Sequence, residues 1–227
     1  MKKIFLIPVF FLFLANFSFA KTWTNNIAAG LTFEDLSIGV DKKNADDITQ
    51  LGYGLDGSYI GFHENGFTAK ANVAIGVATS KDVSIQTDKN TNIGAFENVS
   101  FGVGYSFVRT DRFLFGSTAM IGIEMSQYSV NSEGEELNSV KYDDLTTSLS
   151  LVTFSFGADI FAVFHFSERF GFYANIAARY LIAGDAKIEY KYETSSKSSK
   201  KSEILTDDYN LFGNFVIQPT LGVIWRF

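Results

Sequence analysis

The residues best suited to catalysis in this chain are His165 and Ser167, which lie two positions apart. A histidine beside a hydroxyl is the pair that nucleophilic catalysis requires, because the imidazole can take the hydroxyl proton. The only other histidine is His63, and the sequence offers no convincing third residue to orient His165. The pair is therefore a weak signal for an enzyme.

Six charged residues form a second set, because each lies within a segment that is apolar at alternate positions. Residues of both signs are present, so ion pairs can form among them. The six are Asp56, Lys70, Glu124, Asp159, Arg179 and Arg226. What they do depends on the elements that position them.

The composition excludes several classes of protein. The 227 residues include no cysteine, which excludes disulfide scaffolds, thiolate metal sites and cysteine catalysis. Acidic residues outnumber basic residues by 25 to 19, and the net charge of −6 argues against nucleic-acid binding, which needs a basic surface. The 19 glycines, 24 Phe and 10 Tyr favour an all-β protein.

The first residues have the pattern of a secretory signal peptide. Two lysines precede an apolar run from Ile4 to Leu14, and Ser18 and Ala20 supply small residues before the expected cleavage site. The apolar run is too short for a membrane-spanning helix, which needs about 20 residues. We expect residues 1–20 to be cleaved and residues 21–227 to form one domain.

Residue alternation predicts strands through most of that domain. From Phe154 to Phe166, residues at every second position are apolar and share one face, which is the period of a β-strand. Eight such segments are predicted, at 22–34, 51–63, 67–81, 95–109, 113–129, 146–167, 170–188 and 210–227.

Short and long connections alternate between these segments. The short ones are 64–66, 110–112 and 168–169, and the long polar ones are 35–50, 82–94, 130–145 and 188–210. This pattern predicts an all-β fold, an eight-stranded antiparallel up-and-down β-barrel. The polar stretch from Thr194 to Ser202 is expected to be a flexible loop.

A soluble ligand-binding barrel and a transmembrane barrel both fit the alternation, and aromatic placement favours the transmembrane barrel. One aromatic residue lies near the short-turn end of each segment on a common face, as in the girdle at a bilayer interface. These residues are Trp23, Tyr59, Phe67, Phe107, Phe113, Phe166, Phe172 and Phe227.

The C-terminal strand carries a recognisable pattern in Val223, Trp225 and the terminal Phe227. With the other features, it makes the chain resemble the small eight-stranded bacterial outer-membrane β-barrel proteins of the OmpA transmembrane domain, OmpX and OmpW type. The resemblance implies a monomer in outer-membrane lipid of a diderm bacterium, assembled by the barrel-assembly machinery through its C-terminal strand. It also implies periplasmic termini, extracellular long loops and no cofactor.

The six charged residues then face a narrow lumen, where they form either an ion-pair plug or a gated path. The long loops at 35–50 and 130–145 are acidic but lack the spacing of a calcium loop, so no metal site is expected. We expect a protein without enzymatic activity that acts through its surface loops, on an extracellular ligand, or in envelope integrity. An OmpW-like channel for hydrophobic or small solutes is the alternative.

A lipid-modifying enzyme is a remote alternative. The tripeptide that begins at His165 and ends at Ser167 is similar to the His-x-Ser pair of the lipid A deacylase family. The expected topology puts both residues inside the barrel and beside a periplasmic turn, away from outer-leaflet lipid.

Overall fold

The computed structural model describes residues 23–40, 48–81, 92–133, 136–137, 140–141, 144–194, 197–204, 209–210 and 213–227. The expected signal peptide over 1–20 lies outside these residues. Within the described ranges, no helix is long and apolar enough to cross a membrane.

The described residues form twelve β-strands. They are β1 (Trp23–Val40), β2 (Ile48–His63), β3 (Phe67–Lys81), β4 (Asn92–Arg109), β5 (Phe113–Glu133), β6 (Glu136–Leu137), β7 (Val140–Lys141), β8 (Asp144–His165), β9 (Phe170–Thr194), β10 (Lys197–Ile204), β11 (Tyr209–Asn210) and β12 (Phe215–Arg226).

Eight long strands close into an antiparallel barrel, because each pairs with two others. The order is β1, β2, β3, β4, β5, β8, β9 and β12, and β12 pairs again with β1. At this closing seam Ala29 is opposite Val223. Consecutive long strands are neighbours throughout, so the predicted eight-stranded up-and-down barrel is confirmed.

Side chains alternate between the lumen and the outer surface, as the period of two requires. In β8, Asp159, Phe161 and Val163 are buried, whereas Phe156 and Ile160 are more than half exposed. Large apolar side chains therefore cover the outside of the barrel, the reverse of a soluble barrel.

The predicted strands were too short at the long-loop end. β1 continues to Val40, and β9 continues to Thr194. The prediction of a flexible loop from Thr194 to Ser202 was wrong, because Lys197–Ile204 pairs with Lys187–Thr194 as β10. The run of Ser and Lys residues from Thr194 to Ser202 lacks apolar alternation, so it left little strand signal in the sequence.

The turn between β2 and β3 has a backbone that requires glycine. Gly66 has a φ of 98°, in the left-handed region that disfavours a side chain. Its N–H donates to the His63 carbonyl at 2.9 Å. The Asn65 side chain accepts from the Phe67 N–H at 2.9 Å, so the turn is closed by local hydrogen bonds.

Two apolar clusters fill the lumen, one on each side of a polar layer. The loop-side cluster comprises Leu36, Ala74, Ala78, Phe96, Tyr128, Leu149, Leu151, Leu181, Ala186 and Val216. The turn-side cluster comprises Ala28, Ile60, Phe62, Leu114, Phe161, Val163, Tyr173 and Ile224. Along β8, the order from the turn is Val163 and Phe161, then Asp159, then Leu151.

Lumen glycines leave room for the large rings of these clusters. A Cβ atom at Gly76 would lie 2.3 Å from the Phe96 ring, and one at Gly52 would lie 2.8 Å from it. A Cβ atom at Gly116 would lie 2.6 Å from the Phe161 ring. The glycine-rich inner face is therefore filled by aromatic side chains and not left open.

Candidate functional site in the barrel lumen

A two-point ion pair in the lumen joins Arg179 on β9 to Glu124 on β5. Arg179 Nε lies 2.6 Å from Glu124 Oε1, and Nη2 lies 3.2 Å from Oε2. The Arg179 guanidinium also donates to Gln218 at 2.7 Å. Ser155, on the intervening strand β8, donates to Glu124 at 2.7 Å. Two-point pairing of this kind fixes both side chains.

A second ion pair, between Lys70 and Asp159, lies nearer the turns. Both side chains are almost fully buried. Lys70 Nζ also donates to Asn175 Oδ1 at 2.8 Å, and the Thr118 N–H donates to Asp159 at 3.0 Å. These added hydrogen bonds satisfy a buried pair that would otherwise be costly.

Two further carboxylates in the polar layer between the two apolar clusters have neutral hydrogen-bond donors. Asp56 accepts from Ser58 at 3.0 Å and from Asn72. Glu34 accepts from Gln50 at 2.6 Å. Within the described part of the chain, neither carboxylate has an ion pair within 4 Å.

Sequence reasoning missed Glu34 because the first predicted strand ended there. Glu34 has an even residue number, like Ala28 and Thr32, whose side chains are buried in the lumen. This alternation was the sequence signal that could have identified Glu34 as a lumen residue. With Glu34 included, the polar layer holds four carboxylates and two cationic side chains. These six residues are Glu34, Asp56, Glu124, Asp159, Lys70 and Arg179.

Several buried oxygens beside these carboxylates have no hydrogen-bond partner among the residues that the structure describes. They include Gln50 Oε1, Asn72 Oδ1 and Asn98 Oδ1. Together with the excess of carboxylates, they make the layer suited to water or a cation. No group of three His, Cys, Asp or Glu residues that could hold a metal ion occurs among the described residues.

Arg226 lies apart from this layer, beside the turns. Its Nη2 atom is 3.1 Å from His165 Nδ1, and its Nε atom has no hydrogen-bond partner within the described ranges. The structure thus brings together, in one layer, five of the six charged residues singled out from the sequence. The sixth, Arg226, lies between the turn-side cluster and the turns.

His165 and Ser167 do not form a catalytic pair in this geometry. His165 is buried inside the barrel and contacts Arg226. Ser167 is exposed in the turn, where its hydroxyl accepts from the Phe170 N–H at 2.9 Å. The expectation that Ser167 points into the lumen was wrong, because β8 ends at His165.

Aromatic residues surround the outer surface at the turn end. Trp23 packs edge-on against Phe67 at 5.9 Å between ring centroids, and Phe166 packs against Phe172 at 5.2 Å. Phe107, Phe113 and Phe227 are also exposed there. Such rings suit a bilayer interface.

Tyr59 differs from the other residues assigned to the girdle. Only 1% of its surface is exposed, and its hydroxyl donates to Asn25 Oδ1 at 2.6 Å. A Cβ atom at the adjacent Gly61 would lie within 3.1 Å of that hydroxyl and 3.0 Å of the Trp23 ring. Tyr59 is therefore covered on the outer face and is not part of the exposed ring.

Apolar side chains continue from this ring along the outer surface. On β4 they run from Phe107 to Val99, and the first acidic residue on that face is Glu97. On β1 the corresponding acidic residue is Asp35, which follows the exposed Phe33. An uncharged band of this kind is what lipid requires of a barrel surface.

Two solved structures of outer-membrane proteins match this architecture. A major outer membrane protein from Thermus thermophilus matches with a TM-score of 0.54 and 15% identity, over 88% of this chain and 99% of that one. OprG from Pseudomonas aeruginosa matches with a TM-score of 0.56 and 11% identity, over 91% and 97%. No family model matches the chain, and no curated protein matches it. The chain therefore has the fold of the small outer-membrane β-barrel proteins.

Proposed function

We propose that the protein is an outer-membrane β-barrel that is closed to solutes and acts through its surface loops or in envelope integrity. One observation carries this proposal: a cluster of buried apolar side chains lies in the lumen on each side of the polar layer. Ions cross such layers poorly, because an apolar side chain cannot replace their hydration. The barrel then serves as a rigid support for its long-loop end.

The proposed orientation has both termini and the short turns in the periplasm. The uncharged band supports membrane insertion, and the resemblance to outer-membrane barrels supports this direction. Cysteine labelling tests this orientation directly, because the chain has no cysteine of its own. Single cysteines at the exposed positions Ser202 and Glu168 report on the long-loop end and the short-turn end of the barrel. On whole cells, an impermeant maleimide should label Ser202→Cys and not Glu168→Cys. The reverse pattern would invert the proposed topology.

Conductance across a planar bilayer tests the closed lumen. The wild-type protein should show no steady current after insertion. Replacing both Phe96 and Phe161 by alanine removes one buried ring from each apolar layer and should produce current. A matched control replaces the exposed Phe33 and Phe156 by alanine and should remain closed. Steady current through the wild-type protein would contradict the proposal.

A narrow cation path is the second candidate, favoured by one observation. Glu34 and Asp56 add two carboxyl groups, whose oxygens can replace water around a cation, to a layer that already contains both buried ion pairs. If wild-type current is seen, this candidate predicts cation selectivity, which Glu34→Gln and Asp56→Asn together should reduce. Anion selectivity would exclude it.

We propose no enzymatic activity. Support comes from the separate hydrogen-bond partners of His165 and Ser167. Assembly through the C-terminal strand and a monomeric state in lipid remain part of the proposal.

A further inference from the structure

The turn end of the barrel is rich in arginine. Four of the five arginines in the chain lie there, and the fifth is the lumen residue Arg179. The four are Arg109, Arg112, Arg169 and Arg226. A guanidinium group binds phosphate through two parallel hydrogen bonds, which a lysine ammonium cannot do.

Two of these arginines lie in neighbouring turns and are exposed. Arg112 directly precedes Phe113 at the start of β5, and Arg169 directly precedes Phe170 at the start of β9. The His165 N–H donates to the Arg112 carbonyl at 2.7 Å, and the Arg226 N–H donates to the Arg169 carbonyl at 2.7 Å. These bonds fix both turns against the ends of β8 and β12.

The other charged groups near these turns leave both guanidinium groups available. Asp111 lies close enough to Arg226 to interact with it electrostatically, and Glu168 is exposed beside Arg169. Arg109 is held elsewhere, by the Glu64 carbonyl and the Tyr105 ring. Among the described residues, Arg112 and Arg169 have no ion pair within 4 Å.

An apolar groove of about 360 Å³ opens on the outer surface beside these turns. Its lining includes the directly paired Ala162 and Ala174, whose small side chains leave the space. Phe113, Phe164 and Phe172 form a row at the turn side, since each is opposite the next. Leu221 also lines the groove, on the far side of Ala174.

We propose that this surface binds one anionic phospholipid, with its phosphate at Arg112 and Arg169 and one acyl chain in the groove. The inference rests on the proposed membrane insertion. Charge complementarity selects the occupant: two exposed arginines lie in the turns at one end of an apolar groove, and an anionic phospholipid has the matching order of groups. The aromatic row lies between these two parts, at the depth of the glycerol backbone.

Native mass spectrometry of the detergent-purified protein tests this proposal, with phosphatidylglycerol and phosphatidylcholine as probes. The wild-type protein should retain phosphatidylglycerol preferentially. Replacing Arg112 and Arg169 by glutamine should weaken phosphatidylglycerol binding about fivefold, as expected for two exposed ion pairs. The matched control Arg109→Gln removes a third arginine at the same end and should leave binding unchanged.

A groove variant separates the acyl-chain contact from the headgroup contact. Ala174→Leu fills the groove and should weaken binding of both lipids, while preserving the preference between them. Equal binding of the two lipids by the wild-type protein, or equal losses in the double variant and Arg109→Gln, would overturn the proposal. A dimer that Ala174→Leu disrupts would overturn it too, by identifying the occupant as a second copy.

The fold of each variant is measured in the same samples, by the change in gel mobility on boiling. A heat-modifiable wild-type protein without lipid preference overturns the lipid site alone. If boiling does not change the gel mobility of the wild-type protein, the proposed membrane barrel itself is overturned. If the double variant does not fold, the wild-type lipid preference and Ala174→Leu still decide the question.

Discussion

Arg179 and Glu124 join two strands that are not neighbours in the barrel. Arg179 is on β9 and Glu124 is on β5, and both strands pair with β8 between them. The ion pair, with Arg179 Nε 2.6 Å from Glu124 Oε1, therefore spans the width of β8 on the lumen side. Its geometry makes the polar layer a structural link between β5 and β9.

Replacing Arg179 by alanine should lower the free energy of unfolding by about 3–5 kcal/mol, because Glu124 would remain buried without its cation. Urea unfolding of the protein inserted in lipid vesicles measures the change. The control Lys187→Ala removes a half-exposed pair with an N–O distance of 3.9 Å and should cost less than about 1 kcal/mol. Equal effects of the two substitutions would show that the lumen pair contributes little.

Replacing Gly66 by alanine should destabilise the β2–β3 turn by about 1–2 kcal/mol, from backbone strain at positive φ alone. A contact adds to this cost, because the new Cβ would lie 2.6 Å from the Tyr105 ring. Gly57 is the matched control, since a Cβ there comes no closer than 4.0 Å to its nearest neighbour, the Val73 carbonyl oxygen. We expect Gly57→Ala to be neutral or slightly stabilising in the same unfolding measurement. Similar losses at both positions would argue against the turn geometry.

Replacing Val103 by arginine should cost about 2–4 kcal/mol, the penalty for a cation near the middle of the lipid-facing band. Ile93 is on the same face of β4 but at the loop end, so Ile93→Arg should cost less than about 1 kcal/mol. Unfolding from lipid vesicles compares the two variants. If the cost is the same at both positions, the outer surface does not follow the depth of a bilayer.

Replacing Phe227 by alanine should reduce the amount of protein inserted in the outer membrane, if the C-terminal strand is the assembly signal. Phe227 packs against Trp225 at 5.5 Å between ring centroids, and its N–H donates to the Asn25 carbonyl at 3.1 Å. Phe215→Ala alters a similarly exposed aromatic at the other end of the same strand and serves as the control. Immunoblots of membrane fractions measure both, and undiminished insertion of Phe227→Ala would contradict the signal.

The barrel could be predicted from the sequence because the two faces of each strand meet different surroundings. On β8, for example, Asp159 faces the lumen and the next residue, Ile160, faces outward, so the assignment of faces is local to the strand. Glu34 was missed because acidic residues at its strand end resembled a loop. The burial of Tyr59 depends on the neighbouring strand β1, where Asn25 accepts a hydrogen bond from its hydroxyl, and no single-strand pattern contains that information.

The groove and the polar layer required the strand register. Ala162 and Ala174 become neighbours only when β8 pairs with β9, and Arg179 reaches Glu124 only across β8. Register depends on the closure of the whole barrel, whereas alternation depends on each strand alone. The inward direction of the charged residues could therefore be predicted, but their partners could not.

We propose that this chain forms a closed barrel within a membrane. The most direct test is gel mobility of the detergent-extracted membrane fraction, compared before and after boiling. We expect recovery in that fraction and a mobility shift on boiling, because the closed ring of eight strands has no free edge from which to unfold. A protein recovered in the soluble fraction, with the same mobility in both samples, would contradict it.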